Sequence, residues 1–165
     1  MALLCETCKM LCRLPAAQER LFPSISPAFC SEICLMSHIR SRKPLSAVEL
    51  RMRGIRQALP GPAGDVYSPI LCRVFRSEFE KSFAEYAAEW PENVFYEPHA
   101  LRLHARGAYI PDFFIPDYGV WLELKGEWRF GGKAKFMAAC NILGADRVLL
   151  VPPAYAPWFK RREAA

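Results

Sequence analysis

No apolar run in this chain approaches the length of a membrane span, and its first residues, MALLCETCK, lack the apolar core of a secretory signal. These two absences exclude a spanning protein and point to the cytosol. Internal repeats and low-complexity tracts are missing too. What is present is a globular composition. At 165 residues with 52% hydrophobic and 24% charged side chains, the chain has room for one ordinary domain, or a compact domain with a small appendage. Seven cysteines in a reducing compartment are read as thiolate ligands and free thiols before disulfides.

Four of those cysteines come in two spaced pairs. Cys5 and Cys8 form a C-x2-C knuckle. Cys30 and Cys34 lie four apart in FCSEICLMSH, one helical turn from each other on a single face, with Ser31 or the preceding loop placed to start that helix. A knuckle pair and a helix pair fit tetrahedral Zn²⁺. The pattern resembles a treble-clef zinc finger. Cys12, a spare thiol, and His38, one turn further along the same helix, are alternates within the quartet. A segment this short has little core of its own, so metal would be its main source of stability.

The excess positive charge is placed unevenly. Residues 1–66 hold nine Lys/Arg against five Asp/Glu, so they carry +4 of the net +5. Arg40, Arg42, Lys43, Arg51, Arg53 and Arg56 cluster with only Glu49 among them, a distribution suited to phosphate contact. Ser46 and Glu49 have the form of a capping box, and Val48, Met52, Ile55 and Leu59 are expected to make one helical stripe. Residues 60–64, PGPAG, read as a linker. The expected organisation is a zinc module over residues 1–43, a basic helix and linker over 44–66, and a second domain over 67–165.

The richest stretch of that second domain is YIPDFFIPDYGVWLELKGEW, residues 109–128. Two runs of aromatic and β-branched residues flank Pro116-Asp117-Tyr118-Gly119, a turn sequence. If Ile115 faces Val120, Asp112 falls directly opposite Glu123, with Cβ atoms about 5 Å apart on one face. Lys125 shares that face, because side chains alternate along a strand. Facing carboxylates repel unless a cation lies between them, and hard oxygen donors suit Mg²⁺. A glutamate inside the otherwise apolar VWLEL also demands a partner.

Upstream, a helix is expected over roughly residues 72–90, with Phe75, Phe79, Phe83, Tyr86 and Trp90 as its buried face. Glu78, Glu85 and Glu89 then fall on a solvated flank, and Glu80 alone on the side that leans over the sheet. Cys72 and Cys140 are read as helix core thiols, and His99 and His104 as ordinary strand or loop residues. A helix over about 133–143 ends at Gly144 as a C′ residue, and an apolar strand over 147–151 follows, cut off by Pro152-Pro153. Arg129, Lys133 and Lys135, just beyond the hairpin, are placed to receive a nucleic-acid backbone.

Pro-Asp followed by Glu-x-Lys across a hairpin resembles the PD-(D/E)xK nuclease superfamily. Over roughly residues 73–151 the order of FRSEFEKSFAEYAAEW, FYEP, YIPDFFIP and VWLELKGEW is similar to the phage endonuclease I type of Holliday-junction resolvase. The resemblance implies an α/β, restriction-endonuclease-like core: helix, three strands, helix and strand about a mixed sheet, here with a small N-terminal zinc module. It implies Mg²⁺ or Mn²⁺ held by Glu80, Asp112 and Glu123, and Lys125 assisting the attacking water. The carbonyl of Leu124 is a further candidate ligand. DNA is the implied partner, branched or duplex, with paired cuts requiring a homodimer, in the host cytoplasm if the gene is a phage's. The zinc module is foreign to that family's pattern. Two alternatives stay open: a nucleic-acid-binding or virion-assembly adaptor on a nuclease scaffold, and a nicking endonuclease of the mismatch-repair type.

Overall fold

A computed structural model describes residues 3–58, 64–103 and 107–159. Leu59, residues 60–63 of the expected linker, and His104 lie outside these residues. The chain is mixed α/β with several small sheets. A short helix, α1 (Ala16–Glu19), is followed by α2 (Glu32–Arg40), whose N-cap Ser31 accepts a hydrogen bond from the Cys34 amide at 3.3 Å. In α3 (Ala47–Met52), Ser46 and Glu49 close the expected capping box.

The expected stripe beyond it does not form. Val48 and Met52 are exposed, the helix stops at Met52, and Ile55 opens a strand, β1 (Ile55–Gln57). Gly54, at φ 73°, makes the turn that lets the chain leave the helix. A hairpin follows, β2 (Val66–Ser68) with β3 (Arg73–Phe75), and then α4 (Glu78–Ala87). The expected helix over 72–90 therefore starts later. Ser77 caps the Glu80 amide at 3.2 Å, and Phe75 reaches the core from a strand. Cys72, expected in the core, is exposed in the turn of that hairpin with φ 48°.

Among the described residues, five strands rather than the expected three separate α4 from the next long helix. They are β4 (Phe95–Tyr96), β5 (His99–Arg102), β6 (Ala108–Tyr109), β7 (Phe113–Ile115) and β8 (Val120–Leu124). Helix α5 (Gly132–Leu143) and β9 (Val148–Val151) complete the core, with a 3-10 stretch, Pro153–Phe159, behind it. The main sheet runs β4-β7-β8-β9, antiparallel except for the parallel pair β8 and β9 joined through α5, so it is mixed as expected. The hairpin register is also as expected, with Ile115 opposite Val120 and Phe113 opposite Leu122. The ladder ends at that pair: Asp112 lies in a bend just before β7, where its carboxylate accepts from the Leu124 amide. A second sheet, β1-β5-β6, takes its edge strand from the stretch expected to continue the helix.

All five residues of β8 are buried, as a strand covered on both faces requires. Phe83 of α4 packs on Phe113 at 4.7 Å between ring centroids, and Phe136, Ala139, Cys140 and Leu143 are the buried face of α5. Truncating a ring such as Phe83 would cost about 3–5 kcal/mol. The N-terminal residues join the same core. Tyr155 donates to the Phe29 carbonyl and accepts from the Phe29 amide, at 2.9 and 2.8 Å. Trp128 Nε1 donates to the Leu21 carbonyl at 2.8 Å, and the Ala154 amide donates to Gln18 at 2.6 Å.

Candidate metal centre and carboxylate cleft

The knuckle and the helix meet. A backbone bridge sets Cys5 beside Ala28, which brings the C-x2-C turn against the loop that enters α2. Lys9 adopts φ 61° to close that turn. The four sulfurs of Cys5, Cys8, Cys30 and Cys34 lie within 4.8 Å of one another, with Cys8 to Cys30 at 3.4 Å and Cys30 to Cys34 at 3.7 Å. Four thiolates about 2.3 Å from one tetrahedral ion stand roughly 3.8 Å apart. The donor set therefore fits a metal such as zinc.

Neither alternate joins it. Cys12 is buried outside the quartet, and burial pushes its thiol up to about 11. His38 turns Nε2 to the Asp146 carbonyl at 3.0 Å and packs on Phe29, while burial lowers its imidazole below the ordinary range. Burial opposes ionisation of Cys5, yet hydrogen bonds from the backbone of Cys8, Cys30 and Thr7 bring that thiol down to about 6. Its neighbour Cys30 is pushed up to about 12 by burial and by the thiols around it. Such a set can be fully ionised only with a cation at its centre.

The carboxylates form a separate group beside the β7–β8 hairpin. Glu123, at 4% exposure, accepts from the Tyr109 hydroxyl at 2.6 Å on Oε2 and pairs with Lys125 Nζ at 2.8 Å on Oε1. Asp112, at 8% exposure, accepts from the Leu124 amide at 2.7 Å. Its carboxyl is held well above the ordinary range, first by burial and then by the charges of Glu123 and Glu80. Burial works against the charge on Lys125, but Glu123, Asp112 and Glu80 outweigh it and raise the ammonium. Glu80, in the first turn of α4, accepts from the Tyr96 hydroxyl at 2.7 Å and the Arg76 amide at 3.1 Å.

Glu80, Asp112 and Lys125 share the wall of an open cleft of about 1010 Å³. Glu123 faces a smaller hollow of about 300 Å³, and Asp112 and Lys125 border both. Among the described residues, the cysteine quartet is the one group of three or more thiol, imidazole or carboxylate donors close enough to hold an ion. Glu80 and Asp112 border the cleft and Glu123 the smaller hollow; the three do not converge, and each is engaged by protein donors.

No family model, curated protein or solved structure matches this chain.

Several side chains at the cleft escaped the sequence reading. Tyr109 and Tyr96 each hold a site glutamate, and hydroxyls in an aromatic strand give no pattern that singles them out. Arg76 borders both hollows and pairs with Glu97 at 2.7 Å; Glu97, at φ 45°, donates its amide to the Asp112 carbonyl at 2.8 Å. Glu85, expected to be solvated, accepts from buried Ser68 at 2.6 Å. Glu78 fits the expectation of a solvated residue, with its side chain 72% exposed and paired to Lys81.

The expected nucleic-acid contacts divide. Arg129, Lys133 and Lys135 are exposed, with Arg129 on the cleft and Lys135 on the smaller hollow. Arg51 and Arg56 are exposed beside a separate hollow that includes His99. Arg53 is committed elsewhere: its guanidinium donates to the Ile142 and Leu143 carbonyls at 3.2 and 2.7 Å, closing the C-terminus of α5. Arg40 and Arg42 are likewise engaged, by Glu92 and Asp146. Cys140 is buried on α5 as expected, and burial pushes its thiol up to about 12.

Proposed function

We propose that this protein is a metal-dependent endodeoxyribonuclease of the PD-(D/E)xK type, with a restriction-endonuclease-like core and a structural zinc module, acting on branched or otherwise distorted DNA. One observation carries the proposal. Two buried carboxylates, Asp112 just before β7 and Glu123 on β8, border one hollow with Lys125, which pairs with Glu123, and Asp112 and Lys125 also line an open cleft that carries Glu80. Burial of that much like charge is costly unless a cation or a proton relieves it.

Asp112 and Glu123, with Glu80 and the Leu124 carbonyl nearby, would hold Mg²⁺ or Mn²⁺. A bound divalent ion would supply charge for the scissile phosphate and lower the pKa of a water. Lys125 would orient that water and offset negative charge building at the phosphorus. Glu123 and Tyr109 keep the lysine aimed by fixing the carboxylate it pairs with. Cys5, Cys8, Cys30 and Cys34 would hold zinc and take no part in the chemistry.

A second reading has its own observation. The site carboxylates are each tied to protein donors and do not converge, which suits an adaptor that keeps a nuclease fold as scaffold. One experiment separates the two. Zinc-loaded protein is incubated with Mg²⁺ or Mn²⁺ and labelled four-way junctions, flaps, nicked, mismatched and linear duplexes, and single strands. The nuclease cuts branched forms, and Glu80→Gln or Lys125→Ala stops it while Glu78→Gln does not. Paired cuts in a junction indicate a dimer. Folded protein that cleaves none of these DNAs and shows no heat of Mg²⁺ binding is the adaptor.

A further inference from the structure

Phe130 is the most exposed large hydrophobic side chain among the described residues, at 109% of the reference accessibility. It occupies the loop that leaves the proposed catalytic strand, five residues beyond Lys125. The loop is held on the side facing the protein. Trp128 packs on Phe136 at 5.3 Å between centroids, donates to the Leu21 carbonyl, and lies beneath Lys125 Nζ at 5.5 Å. Its tip is a defined turn. The Gly132 amide bonds the Arg129 carbonyl at 2.9 Å, and Gly131 takes φ 74° and ψ −10°, the values of the third residue of a type II turn. That turn places Phe130 at the corner, projecting away from the body. A ring on a pinned turn is displayed, whereas a ring on a slack loop could fold back onto the core.

The same loop and the helix it enters carry three cations against one exposed carboxylate, Glu127. Arg129 borders the cleft, and Lys133 and Lys135 are exposed on the first turns of α5. An aromatic ring displayed on a predominantly basic segment is complementary to a polyanion that offers flat apolar rings. A second copy of this chain would have to bury the same cations against each other. Intact duplex hides its base faces in the stack and opening a step to admit a ring costs unstacking energy, so a single projecting ring meets most readily a base already unstacked. We propose that Phe130 stacks on an unpaired base beside the scissile phosphate, with Arg129, Lys133 and Lys135 on the flanking phosphates. Selection of branched or looped DNA over duplex would then come from this loop. The proposal rests on the cleft being a nucleic-acid site, but it does not require that cleavage occur.

The test is binding without chemistry. Zinc-loaded wild type, Phe130→Ala and Phe130→Trp are titrated, with Ca²⁺ in place of Mg²⁺, into two labelled duplexes identical except for one unpaired adenine. The same series is run with 2-aminopurine at that position. Wild type binds the bulged duplex more tightly and quenches the 2-aminopurine. Phe130→Ala loses roughly ten- to a hundredfold in affinity for the bulged duplex alone, and Phe130→Trp retains it. Equal affinity of Phe130→Ala and wild type for both DNAs overturns the proposal. So does a variant that changes only the sedimentation of the free protein, because the ring would then be a self-association contact. A wild type that binds neither DNA sinks both the stacking and the nuclease reading. Selective binding without any Mg²⁺-dependent cleavage sinks the nuclease reading alone.

Discussion

Replacing Tyr109 by phenylalanine removes a single oxygen from the cleft. The ring is buried and stays, so no cavity opens; what goes is the 2.6 Å bond from its hydroxyl to Glu123 Oε2. Burial, and then the charge of Glu123, hold the phenol well above its ordinary pKa of 10.0, so it remains a donor across the useful pH range. A buried hydrogen bond to a carboxylate contributes about 1.5–3 kcal/mol. In a chain of this size, about 2 kcal/mol lowers the melting temperature by roughly 4–8 °C. Lys125 still pairs with Oε1, so the variant should fold, with Glu123 less firmly held. If Glu123 is a ligand, an outer partner of this kind is worth roughly ten- to a hundredfold in metal affinity or rate. Circular-dichroism melts of zinc-loaded wild type, Tyr109→Phe, Glu123→Met and the double variant measure the coupling directly, since methionine keeps the length of the side chain and removes its oxygen acceptors. An unchanged melting temperature would refute it, as would an equal drop in the Glu123→Met background, because the bond would then be carrying nothing.

The purified protein should contain about one zinc per chain by elemental analysis, and Cys34→Ser should release it; metal-free reduced protein would rule the site out. Asp112→Asn should stabilise the protein before any Mg²⁺ is added. Because burial and Glu123 raise the folded carboxyl's pKa, wild type loses stability as pH rises from its unfolded value of 3.8 through its folded one. The gain from asparagine should thus be larger in urea melts at pH 8 than at pH 5, and a gain independent of pH would contradict it. Arg53→Ala should lower stability by about 1–3 kcal/mol through the two carbonyls it leaves at the end of α5. Arg51→Gln and Arg56→Gln should leave stability alone and flatten the salt dependence of DNA binding by about one unit for each phosphate no longer neutralised; an unchanged slope would place those arginines away from DNA.

The hairpin register and the cysteine quartet were legible because both rest on local spacing. Period two fixes which strand residues share a face, and i,i+4 on a helix fixes two sulfurs one turn apart. The length of α4 was misread because Phe75 continues the helical period of Phe79 and Phe83 while belonging to a strand. The stop came from Ser77, a cap that periodicity does not see. The stretch around Ile55 carries a helical period, yet it pairs as β1 with residues 99–101, more than forty residues downstream. No local pattern records such a pairing. Arg53 was grouped with its charged neighbours for the same reason: the carbonyls it satisfies belong to a helix about ninety residues away.

The bond from Trp128 to the carbonyl of Leu21 has a practical corollary. Leu21 sits in the span between the two cysteine pairs, so the loop that follows Lys125 is moulded against a backbone that the thiols hold in place. Cutting the chain after residue 43 would not liberate an autonomous C-terminal half. It would remove the floor beneath Trp128 and, with Phe29, both of that residue's backbone bonds to the Tyr155 hydroxyl. The two parts are better regarded as one cooperative object, and if the quartet holds zinc, a chelator added there should be felt at Lys125.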